Sequence, residues 1–335
     1  MYLKEIAKLR NRKNSHLIYY ISAIAKTIIP KWLMRTMLKR ILAHYNTLSI
    51  AEQQYITERV DYYCKFNTHI TLPANSILLK DFTNKKVRTP NRLHNSPNGY
   101  IHGAHFYDTY EYTRYFPDSY RISILSGDVN HIVEVPCLCK SRPISHDDSN
   151  RNNILLKLNK VRHFFWVKDP YKWEDKECKI IFRGEAATKP RRQQFIKMWK
   201  DHPLCDLVST DAKANAMSIN DHLKFRYIMT LEGNDVASNL KWVMSSNSIA
   251  VMPRPTCETW FMEGKLKANY HYIEIKDDYS DLIERINYYE AHPEEAKAIT
   301  NHAHEWVKQF QNKQREDLIS LMVMDKFFRI TGQKS

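Results

Sequence analysis

Three of the seven glycines in this chain follow short apolar runs: Gly127 in RISILSGDV, Gly184 in KIIFRGEAA and Gly233 in YIMTLEGNDVAS. A glycine after a strand permits a tight turn and lets a ligand approach the backbone closely. Each stands beside residues with chemistry of their own: Asp128, a carboxylate; Arg183, a guanidinium that can grip phosphate oxygens in pairs; and the polar run Asn234–Asn239. Neither G-x-G-x-x-G nor G-x-x-x-x-G-K-[ST] occurs, which argues against a dinucleotide dehydrogenase or a P-loop enzyme. No metal site is expected. Asp277, Asp278 and Asp281 read as the cap and first turn of a helix, while His102, His105 and His131 read as scattered polar residues. The six cysteines form no C-x-x-C pair, as expected of a reduced cytoplasmic protein.

The elements that must position these groups follow from hydrophobic periodicity. Strands are expected at Arg121–Leu125, Lys179–Phe182, Arg226–Leu231, Ser248–Met252 and Tyr270–Ile275. Helices are expected at Ile50–Cys64, Arg191–Lys200, Ala237–Ser245, Ser280–Tyr289, Pro293–Gln311 and Asp317–Phe328. Alternation of short apolar runs with amphipathic helices is the pattern of an open α/β fold, whose ligands bind beyond the strand C-termini. Residues 65–120 give no clear pattern.

The chain has 335 residues, enough for two domains. Its net charge of +14 is uneven: residues 1–45 hold ten Lys and Arg against Glu5 alone, or +9. Within that segment Lys31–Tyr45 reads as a basic amphipathic helix, with Leu33, Met34, Met37, Leu38, Ile41 and Leu42 on one side and Lys31, Arg35 and Lys39 four apart on another. Together with the stretch HLIYYISAIAKTII, it suits an anionic membrane surface, whereas a helix packed on its own domain is the plainer alternative. The apolar run Leu17–Ile29 is interrupted by Lys26 and is too short to span a bilayer, which needs ~20 apolar residues.

The stretches VPCLCKSRPI (135–144), LLKLNKVRHF (155–164), IIFRGEAATKPRR (180–192), LEGNDVASNLKWVMSSNSIAVM (231–252) and ETWFMEGKLKANYHYIEI (258–275) resemble family 90 glycosyltransferases. The bacterial lipopolysaccharide-type branch is the nearest, and protein O-glucosyltransferases are more distant. The likeness runs from about residue 120 to about 310. It implies two Rossmann-like domains facing a cleft (GT-B type), no obligatory metal or cofactor, a UDP-sugar as co-substrate, and inversion at the anomeric carbon.

The same resemblance assigns roles. Asp128 falls at the catalytic aspartate, the base that deprotonates the acceptor hydroxyl. Arg183 and Gly184, in FRG, would face the diphosphate. Asn234, Asp235, Val236, Ala237, Ser238 and Asn239 match the nucleotide-binding turn, and Glu258 would hold the ribose. Asn239 stands where eukaryotic relatives carry an arginine, and Glu185–Ala186 where they carry Ser-Arg. Phosphate charge is then expected to be met by Lys241, Arg162 or Arg191. Arg142 and Asn159 lie in segments resembling the donor side.

These readings divide the chain into a membrane-associating segment (1–45), an acceptor-side domain (46–165), a nucleotide-sugar domain (166–312) and a C-terminal helix (313–335) that returns to the first domain. The expected enzyme works peripherally on the inner face of the cytoplasmic membrane, on a lipopolysaccharide or other glycan, without nucleic acid. The competing class is a non-catalytic basic protein that binds nucleic acid or anionic membrane through residues 1–45.

Overall fold

A computed structural model describes residues 16–84, 101 and 103–334. It is a mixed α/β structure with parallel sheets, and the chain divides into two compact units.

One unit comprises Arg162–Pro255 and Glu263–Gln309 among the described residues. Its centre is a sheet of five parallel strands, Glu177–Gly184, Cys205–Ser209, Phe225–Met229, Ile249–Met252 and Ile273–Glu274. Numbered along the chain, they lie in the order 5-4-3-1-2. All four residues of Ile249–Met252 are buried, as a parallel strand covered on both faces requires. Ile180, Phe195, Tyr227, Val251, Ile273 and Leu282 are fully or almost fully inaccessible and form one core. Each such side chain contributes roughly 1.5–3 kcal/mol of transfer free energy. The helix Pro293–Lys308 packs on it through Ala296, Ile299, Thr300, Ala303 and Val307, the three-to-four spacing of a single helical face. Pro293 opens that helix, with Glu294 and Glu295 in its first turn and Lys308 in its last, each placed to suit the peptide dipole.

The other unit comprises His16–Val161, Thr256–Met262 and Phe310–Ser335. A three-stranded parallel sheet joins Ile124–Leu125, Cys137–Cys139 and Asn153–Leu155. The expected strand Arg121–Leu125 is divided between two sheets, since Arg121–Ile122 pairs antiparallel with Ile77–Leu78. Helices run over His16–Ile28, Lys31–His44, Ile50–Tyr63, Gly103–Thr113 and Lys313–Ile330. Ser49 caps the third of these by accepting from the Glu52 N–H, and Asn312 caps the last by accepting from the Arg315 N–H. The last packs against Ile50–Tyr63.

Two expected elements are shorter than their periodicity suggests. Ala237–Ser245 is helical only over Leu240–Val243, and the strand expected at Tyr270–Ile275 runs only over Ile273–Glu274. Cys257–Thr259, which holds Glu258, is a buried strand paired with Ser141–Pro143. Among the described residues, no helix is long and apolar enough to cross a membrane.

Candidate functional site

Sequence reasoning placed Gly184 and Gly233 beyond strand ends, and the sheet brings those ends together. The first and third strands are neighbours, with Ile180 opposite Tyr227 and Ile181 opposite Ile228. Because they are parallel, both C-termini open on the same edge. In the order 5-4-3-1-2 this is also where the connections change direction, the crevice at which open α/β sheets bind ligands.

Arg192, on the helix Pro190–Trp199, stands between the two glycines. Its guanidinium donates to the carbonyls of Glu185 (2.9 Å), Leu231 (2.7 Å) and Glu232 (3.1 Å), fastening both strand-end loops. A Cβ on Gly233 would come 3.1 Å from its Nη2; one on Gly184 would come 3.3 Å from its Nη1 and 2.8 Å from the Phe182 ring. A side chain at Gly184 would force the Phe182 ring to shift, and one at Gly233 would press on the Arg192 guanidinium. Burial lowers the Arg192 pKa, with Glu185 opposing and Arg162 adding to the fall. Sequence reasoning chose Arg191, which is exposed, and missed its neighbour. Helical spacing does not separate the two, because Arg191 and Arg192 stand four and three residues before buried Phe195 and both spacings share a face.

Arg183 projects toward the neighbouring strand. It donates to Asp206 Oδ1 (2.8 Å), the Asp206 carbonyl (2.8 Å) and the Phe182 carbonyl (2.9 Å). The amides of Ala186 and Ala187 donate to Asp211 Oδ2, at 3.2 and 2.9 Å. In the following turn, Asn234 accepts from Lys189 Nζ (2.5 Å), and Asn239 donates to the Met229 carbonyl (3.0 Å), tying the turn back to its strand. Asp235, Val236 and Ala237 are buried, whereas Ser238 is partly exposed. Lys241 is fully buried and paired with Glu263 at 2.5 Å. Arg162 is exposed. The structure thus gathers Gly184, Gly233 and 234–239 at one sheet edge, and it engages Arg183 and Lys241 in ion pairs.

In the other unit Asp128 follows Gly127, whose φ of +113° falls in the region that favours glycine. No neighbouring atom crowds a Cβ there, so conformation and not space selects this glycine. The Gly127 N–H donates to His105 Nδ1 (3.0 Å), which makes that nitrogen an acceptor and Ser126 Oγ, at 2.9 Å, its second donor. The neutral ring then carries its proton on Nε2. The next residue but one is anchored as well, as the Val129 N–H donates to Ser141 Oγ (3.0 Å). Lys140, almost fully buried, donates to Asp128 Oδ1, and the aspartate lies in exposed backbone with its side chain 29% exposed. A partly open carboxylate on an anchored turn, beside a buried cation, is an arrangement that can accept a proton from a bound hydroxyl.

Glu258 belongs to this unit, not to the one holding the 234–239 turn. It is opposite Arg142 in the antiparallel pair and accepts from Arg142 Nε (2.8 Å) and from the Tyr62 hydroxyl. Arg142 also donates to the Tyr62 carbonyl (2.8 Å) and lies over the Tyr62 ring. Asn159 adopts φ +56° and ends the segment before the short helix Lys160–His163. His131 is partly exposed, and His102 lies outside the described residues. Among the described residues no cluster of three or more metal-ligating side chains occurs.

Comparison with known proteins identifies relatives along most of the chain. A sequence model described as glycosyl transferase family 90 matches residues 158–323. The chain is 37% identical over 308 residues to an O-glucosyltransferase LpsA of Dichelobacter nodosus, covering 90% of this chain and 91% of the relative. It is 29% identical over 140 residues to protein O-glucosyltransferase 3 of Rattus norvegicus and 28% over 140 residues to that of Homo sapiens, each match covering 38% of this chain and 27% of the relative.

Proposed function

The chain belongs to glycosyl transferase family 90, and we propose that this glycosyltransferase moves a sugar, with inversion, from a UDP-sugar to a lipopolysaccharide or other surface glycan at the inner face of the cytoplasmic membrane. The observation that carries the donor side is the meeting of Gly184, Gly233 and the 234–239 turn at the edge where the five-stranded sheet changes direction. Exposed backbone at such an edge accommodates a diphosphate. On this reading Arg192 shapes the donor pocket and Arg162 is the cation nearest to being available. Arg183 and Lys241 contribute through the ion pairs that hold Asp206 and Glu263, and Glu258 through Arg142.

Catalysis then runs as a single displacement. Asp128 takes the proton of the acceptor hydroxyl as that oxygen forms its bond to the anomeric carbon. The bond from that carbon to the diphosphate breaks, and UDP leaves with the electron pair. Such a mechanism assigns the acceptor to the unit of Asp128 and the donor to the unit of Gly184. The protein needs no cofactor on this reading.

Since the bacterial relative is an O-glucosyltransferase, UDP-glucose is the first donor to try. The test is UDP release across a panel of UDP-sugars, with and without a truncated lipopolysaccharide acceptor. Acceptor-dependent release with one donor is expected. Release with none, by a folded protein that also fails to bind UDP, would sink the reading.

A further inference from the structure

The helix His16–Ile28 is amphipathic in the reverse sense of a helix on a water-soluble protein. Its polar side chains face its own unit: Tyr19 donates to Asp108 Oδ1 (2.7 Å) and Lys26 to Glu111 Oε1 (2.7 Å), with Ala23 buried between them. On the opposite side Leu17, Ile21, Ile24 and Ile28 fall within ~60° of the helix circumference at 3.6 residues per turn. They are 70%, 58%, 48% and 78% exposed. Ile29 and Trp32, which follow in sequence on either side of Pro30, are 37% and 66% exposed.

Two of the three cations expected on the face of the second helix, Lys31 and Arg35, are engaged within the protein. Lys31 and Arg35 both pair with Asp118 at 2.7 Å, and Lys26 with Glu111. Lys39 and Arg40, on the second helix, are exposed.

We propose that this apolar ridge inserts into the acyl boundary of a lipid bilayer, so that the described part of the chain binds membrane by hydrophobic burial and not chiefly by charge. The inference deepens the membrane reading above and rests on it. Three observations select lipid as the occupant. The ridge is aliphatic, without the hydrogen-bonding groups that a protein interface carries about once per 100–200 Å². In sequence the ridge is followed by exposed Trp32 and then by exposed Lys39 and Arg40, residue types that suit the interface and the headgroups. The helix has 13 residues, ~20 Å at ~1.5 Å each, and so lies along a bilayer whose core is ~30 Å thick.

The test is flotation of the full chain with phosphatidylcholine vesicles and with vesicles containing phosphatidylglycerol, at 0.1 and 0.5 M sodium chloride, beside UDP release measured with a soluble acceptor fragment. Ile21→Asn with Ile28→Asn changes exposed positions, and an unchanged thermal melt establishes that the variant folds. Flotation of the wild type that persists in 0.5 M salt and falls at least tenfold in this variant supports the proposal, and Lys39→Glu with Arg40→Glu lowers binding less. If flotation vanishes in high salt and ignores the isoleucine changes, the membrane reading stands and the inserted ridge is overturned. If the variant instead converts a dimer to a monomer and floats as before, the ridge is an interface between copies, which also overturns it. Isoleucine-dependent flotation by a preparation without UDP release sustains the proposal while sinking the enzymatic reading.

Discussion

Arg59 Nη1 lies 2.5 Å from Glu316 Oε1, with both side chains 2% exposed and 257 residues apart in sequence. Glu316 also accepts from Lys157 Nζ (3.0 Å) and Trp260 Nε1 (2.7 Å), while Tyr63 bonds Arg59 and stacks on Trp260 with centroids 3.8 Å apart. Burial pushes the Glu316 carboxyl up, but Lys157 and Arg59 outweigh it and hold it below its ordinary value. One cluster thus binds three segments of a single unit that are distant in sequence. Removing one member of a buried pair strands the other, at about 3–5 kcal/mol. Arg59→Met is expected to lower stability by that amount in urea unfolding, and adding Glu316→Gln to cost less than the two separate losses together. A loss below about 1 kcal/mol would show that the cluster is not what holds these segments.

Asp108 gives a stability change with pH. Burial raises its carboxyl to about 6, against Lys160 and the hydrogen bonds from Lys160 and Tyr19, which favour the charge. The unfolded chain gives up this proton near 3.8. Between the two values the folded form binds the extra proton, so the contribution is full below the lower one and is lost as pH rises through the upper. Glu111 has the opposite sign: Lys160 and Lys26 overcome burial and lower it, so its contribution is present above its ordinary value and lost in more acid solution. Wild-type stability relative to Asp108→Asn should therefore fall by on the order of 2 kcal/mol between pH 4.5 and 7. Urea midpoints at several pH values check this, and a flat difference would contradict it.

These contacts also alter what truncation can be expected to do. Residues 1–45 read as a membrane-associating segment from charge and helical periodicity, yet Tyr19, Lys26, Lys31 and Arg35 bind Asp108, Glu111 and Asp118. Periodicity reveals that a helix is two-sided but not which side its unit will take. Here the buried acids chose the polar side. Strong periodicity in 293–308 and the apolar runs of four of the five strands made those elements legible, whereas Cys205–Ser209, with only Leu207 buried, was not read as a strand. Gly103–Thr113 was not, since its sequence GAHFYDTYEYT favours no helix strongly and is held by Asp108, Glu111 and Tyr112 in contact with Lys160. In the candidate site, glycines and their turns could be read because backbone conformation selects residue type. The partners of Arg183, Lys241 and Glu258 could not, because a cation or carboxylate in sequence gives no sign of the opposite charge that folding brings beside it.

Metal dependence can be tested directly. On the proposed mechanism the leaving diphosphate is met by protein groups, and transfer should persist in excess EDTA. Activity lost on chelation and restored by manganese or magnesium would require a divalent ion in the donor site and would displace Arg162 and the strand-edge backbone from that role.

Asp128 offers the most direct test of the chemistry. An acceptor hydroxyl is a weak nucleophile near neutral pH, and a positioned carboxylate that takes its proton as the new bond forms contributes typically ~10²–10⁴-fold. The aspartate sits on a turn fixed by the His105 bond to the Gly127 amide and the Ser141 bond to the Val129 amide. Its side chain remains 29% exposed beside the nearly buried Lys140. Asp128→Asn keeps the size and can still meet Lys140 through its carbonyl oxygen, but it cannot accept the acceptor's proton as a carboxylate does. The expected result is a fall in kcat of at least about two orders of magnitude, with UDP-sugar affinity nearly unchanged because the donor is assigned to the other unit. Lys140→Met distinguishes positioning from chemistry. Without the ammonium the aspartate keeps its carboxylate, so some turnover should survive, and the pH profile of kcat should move where that of Asp128→Asn is flattened. Near-normal turnover in Asp128→Asn would remove it as the base, and an equal loss of donor binding would recast it as a structural residue.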